Sequence, residues 1–252
     1  MTAAIKIRDL HKSFGSQVVL DGISLEIPTG KITTIVGPSG VGKSVLLKLI
    51  AGILTPEIGD ILIFGENMAK MQSEKEKNSI RQRLGILFQG AALFDSISVY
   101  DNIAFPLKAR GMKDRFEIHD RVTSVADSLS LTRYLFNLPQ ELSLGIRKRV
   151  GLARALISEP DIVLFDEPNT GLDPVVGQEV YDLIKFSKDR WGFTGVVISH
   201  ELPEVFQVSD TVVMLLSGKI RASGSPEEFM RSEDAAVIQF MEGRKDGPIQ
   251  IQ

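Results

Sequence analysis

Ile32-Thr33-Thr34-Ile35-Val36-Gly37-Pro38-Ser39-Gly40-Val41-Gly42-Lys43-Ser44 decides how the chain folds. Ile32–Val36 is a short apolar and β-branched run, which reads as a buried strand. Gly37–Ser44 fits G-x-x-x-x-G-K-[ST], and Val45-Leu46-Leu47-Lys48-Leu49-Ile50 continues as an apolar-faced helix. A strand, a glycine-rich loop and a helix in that order form a phosphate cradle. The glycines let consecutive backbone N–H groups curve round an anion, and the helix N-terminus adds its positive dipole end. Lys43 is placed for the outer phosphates of a nucleoside triphosphate, and Ser44 for a Mg²⁺ ion bound largely through water and phosphate oxygens. A plain glycine turn explains the glycines alone. It does not explain the strand, the helix and the Gly-Lys-Ser ending together.

Upstream, Ile5-Lys6-Ile7 and Ile23-Ser24-Leu25-Glu26-Ile27 alternate apolar with polar residues, as half-buried antiparallel strands do. Pro28-Thr29-Gly30 turns the chain. Between about Gln89 and Ser158 helical periodicity takes over, notably at 115–130 and 146–157, which predicts a helical insertion into an α/β core. Asp161–Asp166 and Thr194–Ser199 are continuous apolar runs, typical of parallel strands covered on both faces. Thr211–Leu216, Ser217-Gly218 and Lys219–Ala222 predict a hairpin. Ser225-Pro226-Glu227-Glu228 has the cap, first-turn proline and returning glutamate of a helix start.

Composition narrows the chemistry. The 252 residues include no cysteine and three histidines, which removes disulfides, thiolate catalysis and cysteine-bound metals and leaves a hard, oxygen-bound ion as the expected metal. A hydrophobic content of 43% and a charged content of 24% are ordinary for a folded domain, so neither disorder nor a fibrous repeat is expected. The net charge of −3 offers no basic footprint, so nucleic acid is not an expected partner. No apolar run approaches the ~18–20 residues that span a bilayer, and the start lacks a secretory pattern, which predicts a cytosolic chain.

A second acidic element follows. Ile162-Val163-Leu164-Phe165 leads into Asp166-Glu167. Alone, an acidic pair ending a strand is most often a solvated strand end. After the phosphate loop it reads as a metal-holding aspartate, Asp166, and a glutamate, Glu167, that polarises an attacking water.

With these residues in place the chain resembles the ABC ATPases over nearly its whole length. Six elements follow in the family's order: the loop Gly37–Ser44, Gln89, Leu142-Ser143-Leu144-Gly145-Ile146, Ile162–Glu167, Gly171-Leu172-Asp173 and His200. The resemblance implies an α/β fold, a P-loop ABC ATPase core with an N-terminal antiparallel β lobe and an inserted helical subdomain. The expected boundaries, within a single nucleotide-binding domain over 1–252, are about 1–89 and 159–243 for core and lobe, 90–158 for the helical subdomain, and 244–252 for a polar tail that frays.

The resemblance further implies ATP and Mg²⁺ in a head-to-tail dimer, where one copy's phosphate loop and Glu167 face the other's Ser143 and the amides around Gly145. Gln89 then contacts Mg²⁺ and the attacking water while sensing a membrane subunit, Asp173 couples the two sites, and His200 contacts the γ-phosphate. Phe14 stands where the family stacks adenine; it also reads as a core phenylalanine. Leu144 and Ile146 depart from the family's Leu-Ser-Gly-Gly pattern. A leucine side chain and a narrower φ range hinder close approach to phosphate, which predicts weaker hydrolysis in a site that still closes. A degenerate half-site in a heterodimer is the competing expectation.

Finer segments are similar to the Mla-type ATPases of MCE-protein-linked phospholipid transporters: Gln89–Asp95, Val99–Leu107, Ser199–Val205, Gln239-Phe240-Met241-Glu242-Gly243 and Asp246-Gly247-Pro248. That resemblance implies a peripheral subunit at the cytoplasmic face of a bacterial inner membrane. It implies a permease, an MCE-domain protein and a small STAS-domain protein as partners. Leu93, Phe94, Val99 and Phe105 are expected to line a groove for a permease helix. An ABC transporter ATPase for another solute, and a non-transport ABC protein for iron–sulfur assembly or DNA repair, are the alternatives. The absent cysteines, and the absence of room for long insertions, weigh against the last two.

Overall fold

The structure is a computed structural model that describes residues 2–249. The chain begins with β1 (Ala3–Phe14), β2 (Gln17–Pro28), β3 (Ile32–Val36), α1 (Lys43–Ile50), β4 (Ile58–Ile63), β5 (Glu66–Asn67) and α2 (Glu74–Arg81). It continues through β6 (Leu84–Leu87), α3 (Val99–Ala109), α4 (Arg115–Ser128), α5 (Leu144–Leu156), β7 (Ile162–Asp166) and α6 (Pro174–Trp191). It returns with β8 (Thr194–Ile198), β9 (Thr211–Leu216), β10 (Lys219–Gly224), α7 (Pro226–Met230) and α8 (Ala235–Glu242). Two compact units result, one from the residues up to Ile80 together with those from Thr194 onward, the other from Arg81–Phe193.

The first unit holds an antiparallel sheet in the order β2-β1-β4-β5. In β2 the alternation is literal: Ile23, Leu25 and Ile27 are buried while Ser24 and Glu26 are not. The same unit runs β10-β9-β3-β8, with β8 and β9 parallel to β3 on either side and β10 antiparallel to β9. With neighbours on both edges every residue of β3 is buried, and Thr34 settles its hydroxyl on Ser209 Oγ at 2.6 Å. Ser225 begins α7 with the reciprocal cap its sequence predicts, Ser225 N donating to Glu228 and Glu228 N to Ser225 Oγ.

The tail is tied down as far as Ile249. Gln239, 4% exposed on α8, accepts from Ile249 N–H at 2.7 Å and donates to the Ile249 carbonyl at 3.0 Å. Gly247 passes over this amide at φ 153°, where a Cβ would lie 2.3 Å from Gln239 Oε1. That is a physical reason for the Gln239 and Asp-Gly-Pro pattern. The fraying expected of 244–252 does not hold through Ile249, and 250–252 lie outside the described residues.

In the second unit β6 and β7 pair in parallel, Leu84 opposite Ile162 and Leu87 opposite Phe165. Gly85 lets the α5 end approach, since a Cβ there would fall 2.4 Å from the Ala155 carbonyl. Helix α6 has start and stop signals in the sequence: Asp173 caps it, Pro174 opens it and Gly192 ends it at φ 69°. Among the described residues no helix is long and apolar enough to cross a membrane.

Candidate nucleotide site

The phosphate loop lies wholly in the first unit, between β3 and α1. Gly37 adopts φ 148° and presses against the backbone: a Cβ there would lie 2.2 Å from the Leu215 carbonyl oxygen. Gly42 is left-handed at φ 101° and caps α1 without a side chain. A cradle of main chain at a helix start results, with space that only glycine leaves open. Lys43 is 5% exposed, and its ammonium donates to the Gly37 carbonyl at 2.7 Å and the Pro38 carbonyl at 2.9 Å. Its charge is thus held inside the curve of the loop. Pro38, Ser39, Gly40 and Val41 form one wall of a cavity of about 780 Å³, and Val18 and Ile249 lie on others. Phe14 ends β1 at 48% exposure, with the Lys12 ammonium 5.1 Å from its ring centroid, so it is not a core residue. His200 is exposed just beyond β8.

The acidic elements lie in the second unit. Asp166 ends β7 at 7% exposure, and Glu167 follows with φ 48°. A left-handed backbone at a residue other than glycine costs about 1–3 kcal/mol and concentrates at working sites. Two donors meet the Glu167 carboxylate on Oε2: the Gln89 amide at 3.0 Å and the Thr170 hydroxyl at 3.0 Å. The structure thus brings Gln89 and Glu167 together from separate segments. Thr170 is a residue that sequence reasoning missed.

Ser143 is exposed and caps α5, accepting from Ile146 N–H at 3.4 Å. Leu144 takes the first helical position and is not among the residues with positive φ. Glycine's conformational freedom is therefore not needed there, and what leucine adds is bulk. That bulk lies against Gly171, whose added Cβ would meet Leu144 Cδ2 at 3.3 Å. Gly145 is required for packing, since a Cβ would fall 2.8 Å from Val176 Cγ1.

Comparison with known proteins decides what this arrangement is. The family model described as ABC transporter matches residues 20–170, more than half of the chain. The chain belongs to the ABC transporter family. It is an ATP hydrolase of that family's P-loop α/β fold. The "Intermembrane phospholipid transport system ATP-binding protein MlaF" of Haemophilus influenzae is 38% identical, over 98% of this chain and 94% of that protein. "Probable ribonucleotide transport ATP-binding protein mkl" of Mycobacterium leprae is 41% identical, over 99% of this chain and 72% of that protein. Among solved structures, an ATP-binding cassette dimer in a post-hydrolysis state with ADP and Pi superposes with a TM-score of 0.80 at 27% identity, covering 88% of this chain and 98% of that one.

As an ABC ATPase the chain binds nucleotide, and its residues suit a magnesium-bound one. Among the described residues no cluster of three or more His, Cys, Asp or Glu could hold a metal by itself. Ser44 in the first unit carries a hydroxyl and Asp166 in the second a carboxylate, each a hard oxygen donor of the kind Mg²⁺ takes beside phosphate and water.

The ABC ATPase also carries an apolar hollow of about 350 Å³ in its second unit, walled by Phe88, Phe94, Phe105 and Pro106, with Arg110 and Arg154 beside them. Phe94 and Phe105 are each 43% exposed, with ring centroids 4.7 Å apart. Two other residues expected there are elsewhere: Val99 is fully buried at the start of α3, and Leu93 is not on the wall. Asn102, also fully buried, orders the rim by accepting from Phe94 N–H at 2.8 Å and donating to the Phe94 carbonyl at 3.0 Å. Its position four residues after the helix cap Ser98 gave no hint of that role.

Proposed function

We propose that this ABC ATPase powers phospholipid movement between bacterial membranes. The observation that carries this reading is its match to the Haemophilus phospholipid-transport protein across 98% of one chain and 94% of the other. Two copies pair head to tail, a reading supported by the dimeric state of the ADP- and Pi-bound ATP-binding cassette that shares the fold. Each copy offers Gly37–Ser44 and Lys43 to the triphosphate, Ser44, Gln89 and Asp166 to Mg²⁺, and Phe14 to the adenine. The second copy adds Ser143 and the amides near Gly145. Mg²⁺ offsets the negative charge of the phosphates. Glu167, with His200 and Gln89, orients the water that attacks the γ-phosphorus, and the leaving group is ADP. A homodimer is favoured because Glu167, His200 and Ser143 are all present in one chain.

The hollow at Phe94 and Phe105 receives an apolar helix of a permease, which would hold the chain at the cytoplasmic face of the inner membrane. An MCE-domain protein completes the transporter, and a STAS-domain protein is the further partner. The test is reconstitution with a permease subunit that co-purifies with it, in vesicles containing fluorescent phospholipid. ATP-dependent, Glu167-dependent lipid transfer is expected. A second reading, a different solute, draws on the mycobacterial relative. Turnover stimulated by ribonucleotide, with no lipid transfer, would favour it.

A further inference from the structure

Helix α5 carries two cations whose donors end on main-chain carbonyls. Lys148 is 1% exposed, and its ammonium donates to the carbonyl of Gln89 and, at 3.3 Å, to the carbonyl of Glu167. Arg154, two turns on, donates to the carbonyls of Ala91 at 2.6 Å and Ala92 at 2.8 Å. Three residues in these two segments are left-handed without being glycine: Ala91 at φ 59°, Ala92 at φ 47° and Glu167 at φ 48°. Such backbone persists only where its surroundings over-determine it. A buried ammonium is tolerated only where acceptors satisfy it, so Lys148 and these carbonyls fix one another.

The two segments therefore meet twice, through the Lys148 ammonium at their backbones and through the Gln89–Glu167 hydrogen bond at their side chains. We propose that Lys148 is a positioning residue for the Gln89–Glu167 pair of its own chain. It stands on the helix capped by Ser143, which in the dimer serves the nucleotide bound by the other copy. Its effect nonetheless falls on the nucleotide its own chain binds. This inference rests on the dimeric ATPase reading above.

Mixed dimers of the full chain, purified through two different tags, separate the two directions. In the first, one chain carries Lys148→Met and the other Glu167→Gln, so the single competent carboxylate belongs to the Lys148-altered chain. In the second, one chain carries both substitutions and the other none. The reference pairs an unaltered chain with Glu167→Gln. The first dimer is expected to lose at least tenfold in kcat with KM for ATP within threefold of the reference, and the second to stay within twofold. Arginine at the same position, Lys148→Arg, keeps charge and donors and is expected to recover most of the first dimer's loss. A loss confined to the second dimer would make Lys148 a support for Ser143 and overturn the proposal, as would equal losses in both dimers or no loss in either. Should Lys148→Met not fold, Lys148→Gln takes its place in both dimers, where a loss confined to the first supports the proposal and a loss confined to the second, equal losses or no loss overturn it. A reference dimer that neither turns over nor associates with ATP would instead remove the underlying dimeric reading.

Discussion

Gln89 and Glu167, 78 residues apart in sequence, are joined by one hydrogen bond, the amide of the first donating to Oε2 of the second at 3.0 Å. The same oxygen accepts the Thr170 hydroxyl. The carboxylate proposed to orient water is thereby held by an amide from one loop and a hydroxyl three residues further along its own.

Thr170→Val keeps the shape and deletes one of these donors. A lost hydrogen bond of this kind is worth about 0.5–1.5 kcal/mol, which in a transition state is roughly a 2- to 13-fold fall in kcat. Steady-state hydrolysis is expected to show that fall with KM for ATP nearly unchanged. A matching rise in KM would mean that Thr170 acts on binding.

Gly37→Ala adds a carbon 2.2 Å from the Leu215 carbonyl oxygen at φ 148°. Backbone cannot yield as a flexible side chain does, so the expected cost is about 3 kcal/mol or more. In a chain of this size that is roughly a 6–12 °C fall in thermal midpoint, together with lost nucleotide binding. Differential scanning calorimetry checks it.

Asp234 caps α8, accepting from Ala236 N–H at 2.9 Å and Val237 N–H at 3.2 Å, and pairs with Arg221 at 2.7 Å. The hydrogen bond from Arg221, then those backbone donors against an opposing effect of burial, hold its carboxyl below the ordinary aspartate value. A lowered folded-state pKa gives stability that is fully present above the unfolded value and disappears as pH falls through the folded one. Asp234→Ala is therefore expected to cost about 1 kcal/mol at neutral pH. The gap from the parent protein should close as pH drops below the usual carboxylate range. Urea titrations at neutral and strongly acidic pH compare the two.

The sequence was most legible where local chemistry and spacing demanded the same thing. At Ile32–Ile50 the apolar run, the glycines and the helix face all required one strand–loop–helix unit, which is what forms. Ser225–Glu228 was legible for the same reason, because a capping box is local. Lys148 was not. A lysine in a helix rich in arginine reads as a solvated face, and its burial is decided by two carbonyls 59 and 19 residues away. Gly145 has a packing neighbour that spacing alone does not show, since a Cβ there would lie 2.8 Å from Val176 Cγ1 on another helix. Val99 reads as groove lining in the sequence because hydrophobicity is the same in a core and on a docking surface, yet it is buried.

The most direct measurement is nucleotide-dependent association of Glu167→Gln chains, with the retained nucleotide identified by chromatography. With ATP and Mg²⁺ present, this variant is expected to shift from monomer to a stable dimer that holds two intact ATP molecules, while the parent protein releases ADP and dissociates. A Glu167→Gln chain that stays monomeric under saturating ATP, or that hydrolyses it as fast as the parent, would contradict the paired-site account.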